Sequence, residues 1–256
     1  QSTSWRASSQ PHRLGRSAAA GVVSWGDIPA DRGESMESED VIRGRRSIRA
    51  YTTEPVADDL VRDILDQARW APSSQNTQPW RVWVLTGDAL ERFKAAFKVA
   101  VAREEAETPD LAWSPPEDWP AAFPARVAEN LERRTRALEA SDEDPGPAAS
   151  LARMADCFGA PVLLVVGFDG ALAPAAAYDV GSFVQTMCLA AHDRGLGTCQ
   201  CATLTGYPGL LRDLLPGAHG TRLVVAVTLG WPDREAPINI YRRPRAPLEE
   251  LVVWVS

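Results

Sequence analysis

Apolar residues recur along this chain at two spacings, and each spacing names an element. In ADDLVRDILDQARW, after Pro55, Leu60, Val61, Ile64, Leu65 and Ala68 return with the period of a helix face. The stretch reads as an amphipathic helix closed near Pro72. RVWVLT (81–86) is β-branched and aromatic and predicts a strand. A helix follows Gly87, with Asp88 as its cap and Leu90, Phe93, Phe97 and Val101 on one side. A short helix is expected near 38–43 and a highly charged one over 126–140. PVLLVVGF (161–168) and TRLVVAVTLG (221–230) are unbroken apolar runs, the pattern of central strands covered on both faces. Between them AAAYDVGSFVQTMCLAAHDRG predicts a long helix ending at Gly195, apolar nearly all round, which needs burial under the sheet or against a second subunit. The alternation of strands and helices leaves a mixed α/β or an α+β sandwich open.

Two segments depart from this rhythm. Residues 105–125 interleave Pro109, Pro115, Pro116, Pro120 and Pro124 with Trp113, Trp119 and Phe123. Such a stretch is either an ordered excursion, a lid, or a surface insertion held by its own rings. SDEDPGPAAS (141–150) reads as a solvated loop, and no internal repeat is present. Residues 1–35 carry no acidic side chain before Asp27 and no apolar signal block, and read as an extension, a leader or a mis-assigned start ahead of Met36. One domain is expected over 36–256, with 105–147 as an insertion in it.

Composition narrows the partners. At 256 residues, 45% of them apolar, the chain can bury a full core. Its net charge of −7 argues against nucleic acid or an anionic membrane surface, which are held by distributed positive charge. No window reaches the length of a bilayer-spanning helix, and a cytoplasmic protein is expected. Cys157, Cys188, Cys199 and Cys201 read as reduced core thiols, and His12, His192 and His219 are too scattered for a metal site or a hydrolytic triad.

Against that acidic background, RGRRSIRAY (43–51) sets four arginines in seven positions, and YRRPR (241–245) adds three more. Clusters so far apart in sequence could meet around one dianion such as a phosphate monoester, because the guanidinium fork makes paired charge-assisted bonds. Alternatively each is a solvated site paired with nearby Asp and Glu. Between them lies APSSQNTQPW (71–80). There Asn76 could read the edge of a heterocycle while Ser73 and Ser74 meet a hydroxyl-bearing chain, or the segment is an ordinary turn with Asx-type bonds.

Taken together, RRSIRAY, APSSQNTQPW, the helix running into RGLGTC and the tail RRPRAPLEE resemble the nitroreductase family of FMN-dependent flavoproteins, in order and spacing from Met36 to the C-terminus. The resemblance implies an α+β fold, a three-layer α/β/α sandwich with a mostly antiparallel central sheet. It also implies a homodimer with two FMN at the interface, each site lined by both chains. Carried over residue by residue, Arg45, Arg46, Ser47 and Arg49 reach phosphate, ribityl and ring oxygens. Pro72, Ser73, Ser74 and Asn76 support the ring, and Arg243 and Arg245 meet the phosphate. Cys201 and Ala202 fall on the stretch whose backbone N–H faces flavin N5. Here the chain departs from many relatives, which carry proline after GLGTC where this one reads Gln200, Cys201, Ala202, Thr203.

The implied chemistry is ping-pong. NADH or NADPH donates hydride to FMN, then a small-molecule acceptor such as a nitroaromatic or a quinone takes the electrons in the same pocket. The cofactor carries the reactivity, so no catalytic side chain is expected, and Arg46 or Arg49 stands as the donor near N1–C2. Cys199 and Cys201 read as packing. Other FMN reactions on the same fold, namely ene reduction, reductive dehalogenation or dehydrogenation, remain open, as does a non-catalytic flavin carrier or sensor.

Overall fold

The computed structural model describes residues 36–112, 118–141 and 143–255. Four strands, β1 (Trp80–Leu85), β2 (Val162–Asp169), β3 (Gly197–Cys201) and β4 (Thr221–Gly230), form one sheet in the order β1-β2-β4-β3. Every pairing is antiparallel. Around it lie α1 (Ser38–Gly44), α2 (Asp58–Ala68), α3 (Gly87–Ala102), α4 (Ala122–Glu139), α5 (Pro147–Ala155), α6 (Ala176–Asp193), α7 (Pro208–Leu214), α8 (Pro237–Ile240) and α9 (Leu248–Leu251).

The unbroken apolar runs arise from helices on both faces. Alternate residues of a strand point to opposite sides. Val162, Leu164, Val166 and Phe168 therefore join Val61 and Ile64 of α2 and Val180, Phe183, Val184 and Met187 of α6. Leu163 and Val165 join Phe93 and Phe97 of α3 and Leu211 of α7. This is the expected α+β sandwich of helix, antiparallel sheet and helix. The long apolar helix α6 finds its burial within its own chain, against α2 and the sheet. No helix among the described residues is long and apolar enough to cross a membrane.

Three local expectations change. Thr86, extended, holds the N-cap position of α3, and Asp88 sits inside the first turn, where its charge still favours the helix dipole. The expected loop at 141–150 already turns helical at Pro147, whose fixed φ and missing N–H suit a first turn. β3 has no counterpart among the expected elements: GTCQC is short and half polar, and only its ladder with β4 makes it a strand.

β3 also positions the first arginine cluster. Its outer edge is met by the 45–49 segment through a parallel bridge of Ser47 to Thr198, with Ile48 N donating to Thr198 O at 2.9 Å. Gly197 permits that approach, because a Cβ there would lie 2.6 Å from Ile48 Cγ1. Gly197→Ala should lower the unfolding free energy by about 1–3 kcal/mol, the cost of overpacking, read from a urea midpoint. An unchanged midpoint would show that the edge segment yields freely.

Candidate functional site

The Asn239 side chain joins the end of the first arginine cluster to the segment before the second. Arg49 N donates to Asn239 Oδ1 at 2.8 Å, while Asn239 Nδ2 donates to Ala50 O at 2.8 Å and Asp233 O at 2.7 Å. Asn239 is fully buried, so these bonds lock the stretch before YRRPR against the first arginine cluster. Nothing in the sequence marked it; a lone Asn in PINI carries no periodic signal.

Across that junction Arg243 Nη1 donates to Ser47 Oγ at 3.2 Å. Arg46 feels Arg242 and Arg234, and burial followed by those charges brings its guanidinium down to about 10. Arg243 is lowered in the same way, by burial and then Arg49. Arg45 Nε is buried with no hydrogen-bond partner among the described residues. Such crowding of like charges costs energy until an anion enters. The opening cluster is not uniform, however: Arg43 pairs with Glu39 at 2.9 Å on the exposed side of α1 and is surface chemistry. Arg245 is exposed and donates to the carbonyls of Arg243 and Pro244, so it is not joined to the 45–49 segment here.

Beside Arg45, Arg46 and Arg242 lies a cavity of about 20 Å³ that also touches Asp40, His192 and Thr198. It admits a water, not a heterocycle. Burial and then the charges of Arg46, Arg45 and Arg242 push His192 down to about 4. It is therefore neutral in the fold, whereas the unfolded chain takes up a proton below about 6.5. Stability should fall as pH drops from 6.5 to 4, by about 2–3 kcal/mol in all. His192→Gln should flatten urea stability across that window, and an unaltered slope would refute the assignment.

The polar loop at 72–76 is built separately. Gln75, Asn76 and Gln78 all take positive φ, 51°, 58° and 48°. Left-handed backbone at non-glycine residues costs about 1–3 kcal/mol each and concentrates at functional sites. Gln78 N donates to Ser73 Oγ at 2.9 Å and Ser74 N to Asp179 Oδ2 at 3.2 Å, which fixes the loop on the first turn of α6. Pro72, Ser74 and Asn76 are exposed. Asp179 and His192 stand near opposite ends of α6, about 20 Å apart at the helical rise. Within one chain, then, the loop and the arginines do not meet.

Cys201 and Ala202 close β3. All four cysteines are free and buried. Cys201 Sγ donates to Cys199 Sγ at 3.5 Å, and that bond, with Arg49, Arg243 and Ser47 nearby, lowers the Cys199 thiol while Cys201 is raised. Ala202 O accepts from Thr205 N at 2.9 Å and from its hydroxyl at 2.7 Å, a tight turn off the strand.

The proline-rich excursion is anchored at its start, where Thr108 N meets Gly206 O at 2.8 Å and Asp110 Oδ2 accepts from Arg212 at 2.6 Å and Leu223 N at 2.8 Å. Trp113, Pro115 and Pro116 lie outside the described residues. Phe123 opens α4, nearly half exposed, with Arg126 over its ring.

The model of the nitroreductase family matches residues 42–231. A nitrobenzene nitroreductase of Ectopseudomonas oleovorans is 35% identical over 226 residues, covering 85% of this chain and 96% of the relative. A 4-nitrobenzoate reductase of Pseudomonas putida is 33% identical over 207 residues, 80% and 89% of the two chains. Among solved structures, the FMN-dependent nitroreductase NfnB from Mycobacterium smegmatis in complex with NADPH superposes with a TM-score of 0.77 at 29% identity, over 86% of this chain and 98% of that one.

Proposed function

We propose, from the premise that this chain belongs to the nitroreductase family, that it is an FMN-dependent NAD(P)H oxidoreductase reducing nitroaromatic or quinone-like acceptors as a homodimer. The observation that carries this reading is the division of the candidate residues into two halves. Guanidiniums from both ends of the chain converge at the β3 edge, while the strained polar loop waits near the far end of α6. A two-fold axis would bring one chain's loop to its partner's arginines. The exposure of Pro72, Ser74 and Asn76 supports that arrangement.

The residues fit FMN. Arg45 Nε, buried without a partner among the described residues, and Arg243, bonded to Ser47, are suited to a phosphate dianion. Arg46 and Arg49 lie in the same field, suited to ribityl and ring oxygens. Ser73, Ser74 and Asn76 of the partner would line the ring edge, and the Cys201–Ala202 turn offers backbone rather than side-chain donors. FMN, when bound, supplies the hydride chemistry. The chain's own part is to hold the phosphate, orient the ring and place positive charge where the reduced ring becomes anionic. The relatives named for nitrobenzene and 4-nitrobenzoate support a nitroarene as acceptor.

The purified protein should be yellow, bleach anaerobically with NADPH or NADH, and recover its colour on adding a nitroarene. A yellow protein that neither nicotinamide bleaches would instead be a flavin carrier or sensor. A colourless one that takes up no FMN would end the proposal.

A further inference from the structure

One guanidinium on α4 lies outside the motifs RRSIRAY, APSSQNTQPW, RGLGTC and RRPRAPLEE. Helix α4 carries Arg126, Arg133, Arg134 and Arg136. Three of them meet carboxylates: Arg126 pairs with Glu250 and Arg133 with Glu129, at 2.9 and 2.8 Å, and Arg136 pairs with Glu132. Arg134 meets none among the described residues, and its Nε is buried without a hydrogen-bond partner. Its neighbours are instead cations. Arg49 and Arg153 lower it further after burial has done so. Arg153 is itself engaged, donating to Asp144 O at 3.1 Å and Ser150 Oγ at 3.4 Å.

The helix is held in place by Tyr241, whose hydroxyl donates to Asn130 O at 3.2 Å. Asn130 lies one turn before Arg134, and Tyr241 lies two residues before Arg243 in the tail. That bond sets the turn of α4 that leads into Arg134 against the tail, where the charge of Arg49 is felt. Along the same face of α4, at helical spacing, Phe123, Val127 and Leu131 are exposed. A guanidinium at the end of an apolar strip is complementary to a ring that bears an acid.

We infer that Arg134 forms an oxyanion subsite for the electron acceptor, so that the preferred acceptor is a nitroarene carrying a carboxylate rather than a neutral one. The ring lies along the apolar strip and its carboxylate meets the guanidinium. This inference rests on the oxidoreductase reading above and names the substrate class of that same site. A phosphate has the same chemistry, and the phosphate of NADPH is the rival source, which the experiment separates.

The test compares holoenzyme with Arg134→Gln and Arg134→Lys, using 4-nitrobenzoate and nitrobenzene as acceptors and NADH and NADPH as donors. In Arg134→Gln the ratio of kcat/KM for 4-nitrobenzoate over nitrobenzene should fall roughly 10- to 100-fold, carried by KM, with partial recovery in Arg134→Lys. Benzoate, which cannot be reduced, should perturb the flavin absorbance of the oxidised holoenzyme and bind correspondingly more weakly to Arg134→Gln. Equal losses for both acceptors would mean that Arg134 acts on the flavin or on packing, and would overturn the inference. So would a loss confined to NADPH, or an unchanged ratio. Wild-type holoenzyme that reduces nitrobenzene but ignores benzoate sinks this inference alone, whereas protein that nicotinamide cannot bleach sinks the underlying reading.

Discussion

Replacing Arg45 and Arg243 together by alanine should weaken FMN binding by about a thousandfold. Each guanidinium would contribute a charge-assisted contact of roughly 1.5–3 kcal/mol to the phosphate, and each 1.4 kcal/mol is tenfold in affinity. Arg243 meets Ser47, two residues along from Arg45, so their losses need not add fully. The apoprotein should not suffer, because burial and then the charge of Arg49 lower Arg243, and Arg45 is one of three guanidiniums whose charge falls on the buried His192. Titration of the apo-variant with FMN, followed by quenching of flavin fluorescence, measures the first effect, and a urea midpoint the second. A loss below tenfold, with the fold intact, would remove these arginines from the phosphate.

A mixed dimer should recover what two defective homodimers lack. Ser74 is exposed in the single chain, so Ser74→Trp should leave the fold intact while its indole obstructs the space that the partner's ring would occupy. Homodimers of Ser74→Trp, and of the Arg45→Ala, Arg243→Ala double variant, should both be nearly colourless. In a heterodimer isolated through two tags, one site collects both lesions and the other collects none. That species should bind one FMN per dimer with wild-type affinity. Were each site built within one chain, both sites would stay defective and the mixed dimer would remain colourless.

Much of the framework was legible. The helices α2, α3 and α6 and the strands β1, β2 and β4 announce themselves because burial imposes a period on apolar residues, and these elements bury most. β3 escaped because a five-residue strand of Gly, Thr, Cys and Gln has little pattern of its own; its identity is conferred by β4. The start of α5 was hidden in an acidic, proline-bearing stretch that also suits a loop. Among the candidate residues, type and order were readable, but not partnership. Arg43 and Arg45 look alike in RGRRS, yet one meets Glu39 in solvent and the other holds a buried Nε beside the cavity. Arg134 was masked in the same way, since ERRTRALE reads as a helix laced with ion pairs and three of the helix's four arginines do pair. Asn239, the buried knot between the chain's ends, had no sequence signal at all.

By itself, then, the sequence determined the helices and strands that carry most of the core, that the chain buries a substantial core, and which side chains suit an anion and a heterocycle. Those properties depend on local period and on the chemistry of single residues. Tertiary structure alone decided that the four strands pair antiparallel throughout, that Arg243 reaches Ser47 across 196 positions, and that the polar loop is held near the far end of α6 from His192. Contacts of that kind are set by how layers stack and where the chain returns, and no short window of sequence contains the distance between its own ends.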